Sequence, residues 1–231
     1  WGTQSLQRPG SGCGGCRLMF ARSPTQFLRP IGEAAFVFGP QISLQAFPHL
    51  LNTHLLDNPD TLEIENDGRE MIARDFRFTD VERFVKRVCA WGGYAGVAGR
   101  VLKPENNDRT RLTTALRDAW LELQVSSPSI GRALRHVNTV RGLGTPSFAS
   151  KHLRFLAPEQ CPVFDSVLQA RLPYSFTARG YEAFANDCAW LAHRLNAAHL
   201  ACPAKRQKAQ WLAADVEAAL YTHALKMRDE L

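Results

Sequence analysis

The sequence predicts a mainly α-helical chain. Three observations predict it. Apolar residues recur at helical spacing in successive stretches, from Val81 to Val88, Leu112 to Leu123, Ile130 to Val140, Tyr181 to Leu195 and Trp211 to Leu225. A glycine pair, Gly142-Leu143-Gly144, separates one of these stretches from the next. An aspartate, Asp165, opens a further apolar segment straight after Pro162-Val163-Phe164. The order from Ser129 to Leu168 is therefore helix, glycine hairpin, helix, short loop, and an acid at the head of another helix.

Length and charge bound the rest. The chain has 231 residues, 45% of them hydrophobic, and a formal net charge of +6. That length supports a full core, and the charge suits a polyanionic partner. No apolar run approaches the ~20 residues of a membrane span, and the first thirty residues lack the apolar core of a signal peptide. The expectation is a cytoplasmic protein, without a membrane partner and monomeric. The six cysteines are Cys13, Cys16, Cys89, Cys161, Cys188 and Cys202, expected as reduced thiols. Cys89 and Cys188 fall on apolar helix faces and read as small buried hydrophobes.

Residues 1–30, rich in Gly, Arg, Ser, Gln and Pro, read as an irregular N-terminal arm. Cys13-Gly14-Gly15-Cys16 has the spacing of a metal or redox pair. A structural zinc needs four ligands, and no second close pair exists, so neither metal nor cofactor is expected. Residues 31–78 read as a mixed segment packed on the body. Ala35-Phe36-Val37-Phe38, Ile42 to Phe47 and Leu62-Glu63-Ile64 look extended, with room for a small sheet. A short helix starts near Phe47. Asp57-Asn58-Pro59-Asp60 and Asn66-Asp67-Gly68 are turn signals. His49 and His54 read as surface or satisfied groups.

Residues 79–231 read as the helical domain, with its hairpin at 141–146. Thr79-Asp80-Val81-Glu82 has the form of a capping box. Trp91-Gly92-Gly93-Tyr94 reads either as a loop that approaches a ligand or as a helix C-cap. Arg100, Lys103, Arg109, Arg111 and Arg117 make the next helix's surroundings basic, and Arg132, Arg135, His136 and Arg141 precede the hairpin. The last helix is expected from about Pro203, with Asp215 and Glu217 on its charged outer face. No internal repeat, nucleotide-binding loop or Ser-His-Asp order is evident.

The hairpin has a physical use. Two glycines let the backbone turn tightly and approach another molecule, and the amides of a following helix favour an anion such as a nucleic-acid phosphate. Arg141, Gly142, Leu143, Gly144 and Thr145 are the candidate DNA-binding residues.

Gly142, Gly144, Ala149, Pro162, Val163 and Asp165 together resemble the pattern of the helix-hairpin-helix DNA glycosylases, in their 8-oxoguanine glycosylase-like branch. The resemblance spans roughly residues 80–225, with its specific part at 141–168. Pro146 stands where the family usually places its lysine, Lys151 lies about a turn and a half of helix later, and Phe164 intervenes before Asp165. The resemblance implies a helix-hairpin-helix glycosylase-like bundle with a less regular N-terminal region that leaves room for short strands. It also implies a partner, double-stranded DNA carrying a modified base, and through that DNA an association with the nucleoid.

The implied chemistry assigns roles. Cleaving an N-glycosidic bond develops positive charge at C1′, which a carboxylate stabilises; Asp165 is the candidate, and a helix N-cap is its ordinary structural role. A neutral lysine can attack C1′ and form a Schiff base, and Lys151 is the candidate for that catalytic step. The base must leave the stack for a walled pocket, for which Trp91, Tyr94, Phe148 and Phe164 are candidates, with Trp190 also considered. The expected function is a glycosylase excising 8-oxoguanine or another modified base, with Schiff-base lyase activity where Lys151 is the nucleophile and monofunctional, with water as nucleophile, where it is not. The alternatives are a defence glycosylase acting on modified phage DNA, a non-enzymatic helix-hairpin-helix module that grips duplex, and a structural protein in which the glycines are only a turn.

Overall fold

The computed structural model describes residues 30–31, 34–36, 41–144 and 146–229. Cys13, Cys16, Val37, Phe38 and Thr145 lie outside the described residues. Among the described residues, three short strands come first: β1 (Pro30–Ile31), β2 (Ala34–Phe36) and β3 (Gln41–Ser43), antiparallel in the order β1-β2-β3. A single 3-10 turn, Leu44–Ala46, leads into the helical body. The chain is otherwise mainly helical.

Helix α1 (Phe47–Asp57) and α2 (Thr61–Ala73) are joined by the 57–60 turn. They bury Phe47, Leu50, Leu51, Ile64 and Met71 in the same core as the rest of the chain. Residues 47–73 are therefore part of the body, not the mixed segment expected, and Leu62-Glu63-Ile64 is helical. Asn66-Asp67-Gly68 is no turn either. Gly68 sits inside α2 because a Cβ there would lie 2.2 Å from the Phe155 carbonyl oxygen. Close approach of a second helix selects the glycine.

Helix α3 (Phe78–Trp91) buries Val81, Phe84, Val85 and Val88. The expected capping box does not form: the helix starts two residues early, and its N-cap, Arg77 in place of Thr79, makes no side-chain cap bond. Asp80 instead pairs with Arg74 and Arg83, and Glu82 with Lys86. Helix α4 (Ala95–Val101) follows, then α5 (Arg109–Gln124), capped by Asp108, and α6 (Ile130–Asn138), capped by Ser129. The hairpin leads to α7 (Pro146–Leu156). Asp165 caps the one-turn helix α8 (Ser166–Gln169), and Thr177 caps α9 (Ala178–Ala197).

The last helix, α10, spans Ala213–Asp229 and so starts ten residues after the expected position (213 − 203). The intervening stretch is irregular because Arg206 turns inward. Its guanidinium bonds both carboxylate oxygens of Glu65, at 2.7 Å each, and both of Asp215, at 2.8 and 2.9 Å. Arg154 of α7 adds a 2.8 Å bond to Glu65, and both of these side chains are almost wholly buried. Burial alone would raise the Glu65 carboxyl, but the two arginines outweigh it and hold it below the usual range. The network ties α2, α7 and α10 together at the base of the site.

The packing is layered around α10, which contacts α1, α8 and α9, while α6 packs on α5, α7 and α9. Asp215 and Glu217 are 0% and 3% exposed, which overturns their expected place on an outer face. Alanines 213, 214, 218 and 219 line α10 on all sides and let neighbours close in around it. No helix among the described residues is long and apolar enough to cross a membrane.

Candidate functional site

The hairpin is built as the glycines require. Ser129 starts α6, and Val140 N–H bonds back to Val137 O at 3.0 Å. Gly142 then takes φ = +99°, a left-handed conformation that L side chains rarely adopt. Leu143 is fully buried and anchors the loop. Arg141, Gly142 and Gly144 are exposed around it. Asn107 fixes the loop from beneath: its Oδ1 accepts from Arg141 N–H at 2.8 Å, and its Nδ2 donates to Arg141 O at 3.0 Å and Val101 O at 2.9 Å. Arg132 is paired with Glu122, and Arg117 with Asp75. Arg141 has no ion pair among the described residues, which leaves it available at the hairpin.

Helix α7 carries Ser147 and Lys151 from the hairpin into a cleft with about 160 Å³ of free volume. Asp165 at the head of α8, Glu217 and Tyr221 of α10, His54 of α1, and Trp91 and Tyr94 at the end of α3 complete its main lining. The segment from Pro162 to Asp165 is pinned at three consecutive residues. Tyr181 Oη donates to Pro162 O at 2.9 Å, Val163 N–H donates to Glu217 Oε2 at 3.1 Å, and Phe164 N–H donates to Ser150 Oγ at 3.0 Å. The pinned backbone delivers Asp165 to the cleft, where its Oδ1 accepts from Val167 N–H (3.0 Å) and Leu168 N–H (3.2 Å). The cap uses only Oδ1.

Lys151 is 6% exposed. Its Nζ donates to Ser147 Oγ at 3.2 Å and lies 6.0 Å from the centre of the Tyr94 ring. No carboxylate forms an ion pair with it among the described residues. Burial pushes its amine below the usual lysine range, against the opposing pull of Asp165, Glu217 and Cys89. Gly92, the C-cap of α3, makes room for it: a Cβ there would lie 2.9 Å from Lys151 Cδ and 3.0 Å from Cε. The Trp91-Gly92-Gly93-Tyr94 segment is thus both a helix C-cap and a wall of the cleft.

Two residues that the sequence left aside belong to this site. Glu217 has no ion pair among the described residues, and burial followed by the charge of Asp165 raises its carboxyl to about 8. His54 is buried against Trp91 and Tyr221, and burial followed by Arg154 lowers it to about 4, so its ring is neutral near pH 7. A sequence signal for Glu217 did exist. The run Trp211 to Leu220 has no polar face, and a helix apolar all round is buried all round.

The aromatic candidates divide. Trp91 and Tyr94 line the cleft. Phe164 does not: it is fully buried and packs on Phe184, Phe176 and Tyr174, with centroids 5.1, 5.5 and 6.4 Å away. Its neighbours Val163 and Asp165 face the cleft, and the extended backbone turns Phe164 to the opposite side. Phe148 stands behind the wall, edge-on to Tyr94 at 5.1 Å, and Trp190 of α9 is not in the lining. Cys89, Cys161, Cys188 and Cys202 are free thiols. No group of three or more His, Cys, Asp or Glu side chains is placed to hold a metal among the described residues.

The arrangement can bind a flat apolar group between aromatic walls and present it with an amine, a carboxylate and a protonated carboxyl. A cavity of about 150 Å³ holds a benzene ring, so the free volume suits one aromatic ring, with the mouth open beyond it. Comparison with protein-family models, with curated proteins and with solved structures gives no match to this chain.

Proposed function

We propose that the protein is a DNA glycosylase with lyase activity, which excises a modified base in the cleft. One observation carries this reading: Lys151 and Asp165 line a single cleft, neither held in an ion pair among the described residues, at the end of a helix that begins at an exposed glycine hairpin. The hairpin offers Arg141 and the Gly142 and Gly144 backbone to a duplex phosphate, a contact that positions DNA without reading its sequence. A base extruded from the stack enters between Trp91, Tyr94 and Tyr221. The Asp165 carboxylate stabilises the positive charge that develops at C1′. Burial favours the neutral amine at Lys151, the form that attacks C1′; the resulting Schiff base then permits strand cleavage.

Base release tests the proposal. Wild-type protein and D165N are incubated with duplexes carrying oxidised, alkylated, deaminated and phage-type modified bases, and free bases are identified by mass spectrometry. The expected result is that the wild type releases a base and D165N binds the same duplex without releasing it. A wild type that binds every duplex in a salt-sensitive way and releases nothing would mark a binding module.

A further inference from the structure

Helix α10 buries two acids two residues apart, and so on opposite sides of the helix, and treats them differently. Asp215 receives a bidentate guanidinium from Arg206. Glu217, equally buried, receives one backbone N–H, from Val163, and otherwise faces the cleft. An ionised carboxylate buried without a cation is unfavourable, so burial favours the neutral group. Removing solvent from it and placing Asp165 nearby both act in that direction.

The groups around it are accounted for. Lys151 and Arg154 face it from α7, Asp165 from the head of α8, His54 from α1, Tyr181 and Cys188 from α9, and Asp215 and Tyr221 lie on α10 itself. Arg154 is already bound to Glu65, Asp215 to Arg206, and His54 is neutral near pH 7. Glu217 is thus a carboxyl of the cleft lining that burial, followed by the charge of Asp165, biases toward its protonated form.

Resting on the glycosylase reading, we propose that Glu217 is the catalytic acid of this site and protonates the departing base. The step balances within the chain. The lone pair of Lys151 Nζ forms a bond to C1′ while the C1′–N glycosidic bond breaks, and that bond's electron pair leaves on the base nitrogen. The Glu217 proton goes to the base, which departs neutral, and Glu217 becomes a carboxylate. The ammonium now attached to C1′ returns one proton to Glu217 and regains a lone pair; that pair forms the C1′=N bond of the Schiff base while the C1′–O4′ bond breaks, and O4′ keeps the bond's electrons and takes the proton from Glu217.

The test uses whichever modified duplex the wild type acts on, under single-turnover conditions, across pH 5 to 10 (a range set about the value of about 8 for Glu217). Positioned acids contribute about 10²–10⁴-fold, so E217Q should release base at least ~10²-fold more slowly. It should bind duplex as the wild type does, and it should lose the fall in rate that the wild type shows above about pH 8. Should E217Q not fold, E217D keeps an acid and should keep a falling alkaline limb. E217Q with the wild-type rate and limb, or E217D with a flat profile, overturns this proposal and leaves the glycosylase reading standing. A wild type that releases no base from any duplex overturns both.

Discussion

Gly92→Ala separates the position of Lys151 from the stability of the fold. Gly92 has φ −75° and ψ 3°, which an alanine adopts without strain. Replacing glycine at such a position adds about 0.4–1 kcal/mol through the unfolded chain. The new Cβ would meet Lys151 Cδ at 2.9 Å and Cε at 3.0 Å, and Val88 O at an ordinary 3.4 Å. The lysine stem must therefore move, at about 0.5–1.5 kcal/mol for an off-rotamer side chain. The two effects offset, so the melting temperature should stay within about 4 °C of the wild type. The amine, however, is displaced on the order of 1 Å, which can reduce a reaction by about 10²-fold. The assay is borohydride trapping on a duplex with an abasic site, which needs no knowledge of the base. Trapping at the wild-type rate would refute the idea that Gly92 seats a reactive lysine, and a collapse in melting temperature would refute the stability reasoning.

Glu65→Gln should destabilise the fold by about 3–5 kcal/mol, because it leaves buried Arg154 and Arg206 without their shared carboxylate; denaturant unfolding reads this. The folded-state value of Glu65 is lowered, so its contribution is present above the ordinary 4.5 and is lost as pH falls below it. Wild type and E65Q should converge in stability only on acidification, and a constant gap between them would contradict the assignment. His54 and His152 are both lowered to about 4 from 6.5 by burial, so the unfolded chain takes up protons first and stability should fall from pH 6.5 down to about 4. Gly68→Ala should lower stability by at least ~1–3 kcal/mol, since its Cβ would sit 2.2 Å from the Phe155 carbonyl and force α2 from α7; an unchanged melting curve would count against that contact. Asn107→Ala removes the bonds at Arg141 and Val101 and should weaken duplex binding, with a stability loss of about 1–3 kcal/mol. Binding at wild-type strength would show that the hairpin does not need this brace.

The parts of the molecule written in local signals were legible beforehand. Helical spacing marked α5, α6 and α9, Asp165 announced its cap, and the glycine pair announced the turn at Gly142. What failed was set by distant contacts. Asn66-Asp67-Gly68 carries a turn signature, yet the Phe155 carbonyl pressing on α2 selects its glycine. Thr79 and Glu82 have capping-box spacing, yet ion pairs with Asp80 and Glu82 accompany an earlier helix start. The candidate site divides the same way. Asp165 and Lys151 could be named because each sits in a motif. The apolar run around Glu217 signals its burial but not what it faces, and His54 carries no such signal, because their meaning comes from helices that approach the cleft from more than fifty residues away on either side of the Lys151–Asp165 segment.

Where DNA reacts with the protein tests the central claim most directly. A modified duplex that loses its base is incubated under borohydride, the covalent adduct is digested, and the attached peptide is sequenced by mass spectrometry. The expected result is a sugar remnant on Lys151, formed in step with base release and absent in K151Q. A remnant on another amine, or base release with no adduct at all, would contradict the assignment of the cleft's lysine as the attacking group.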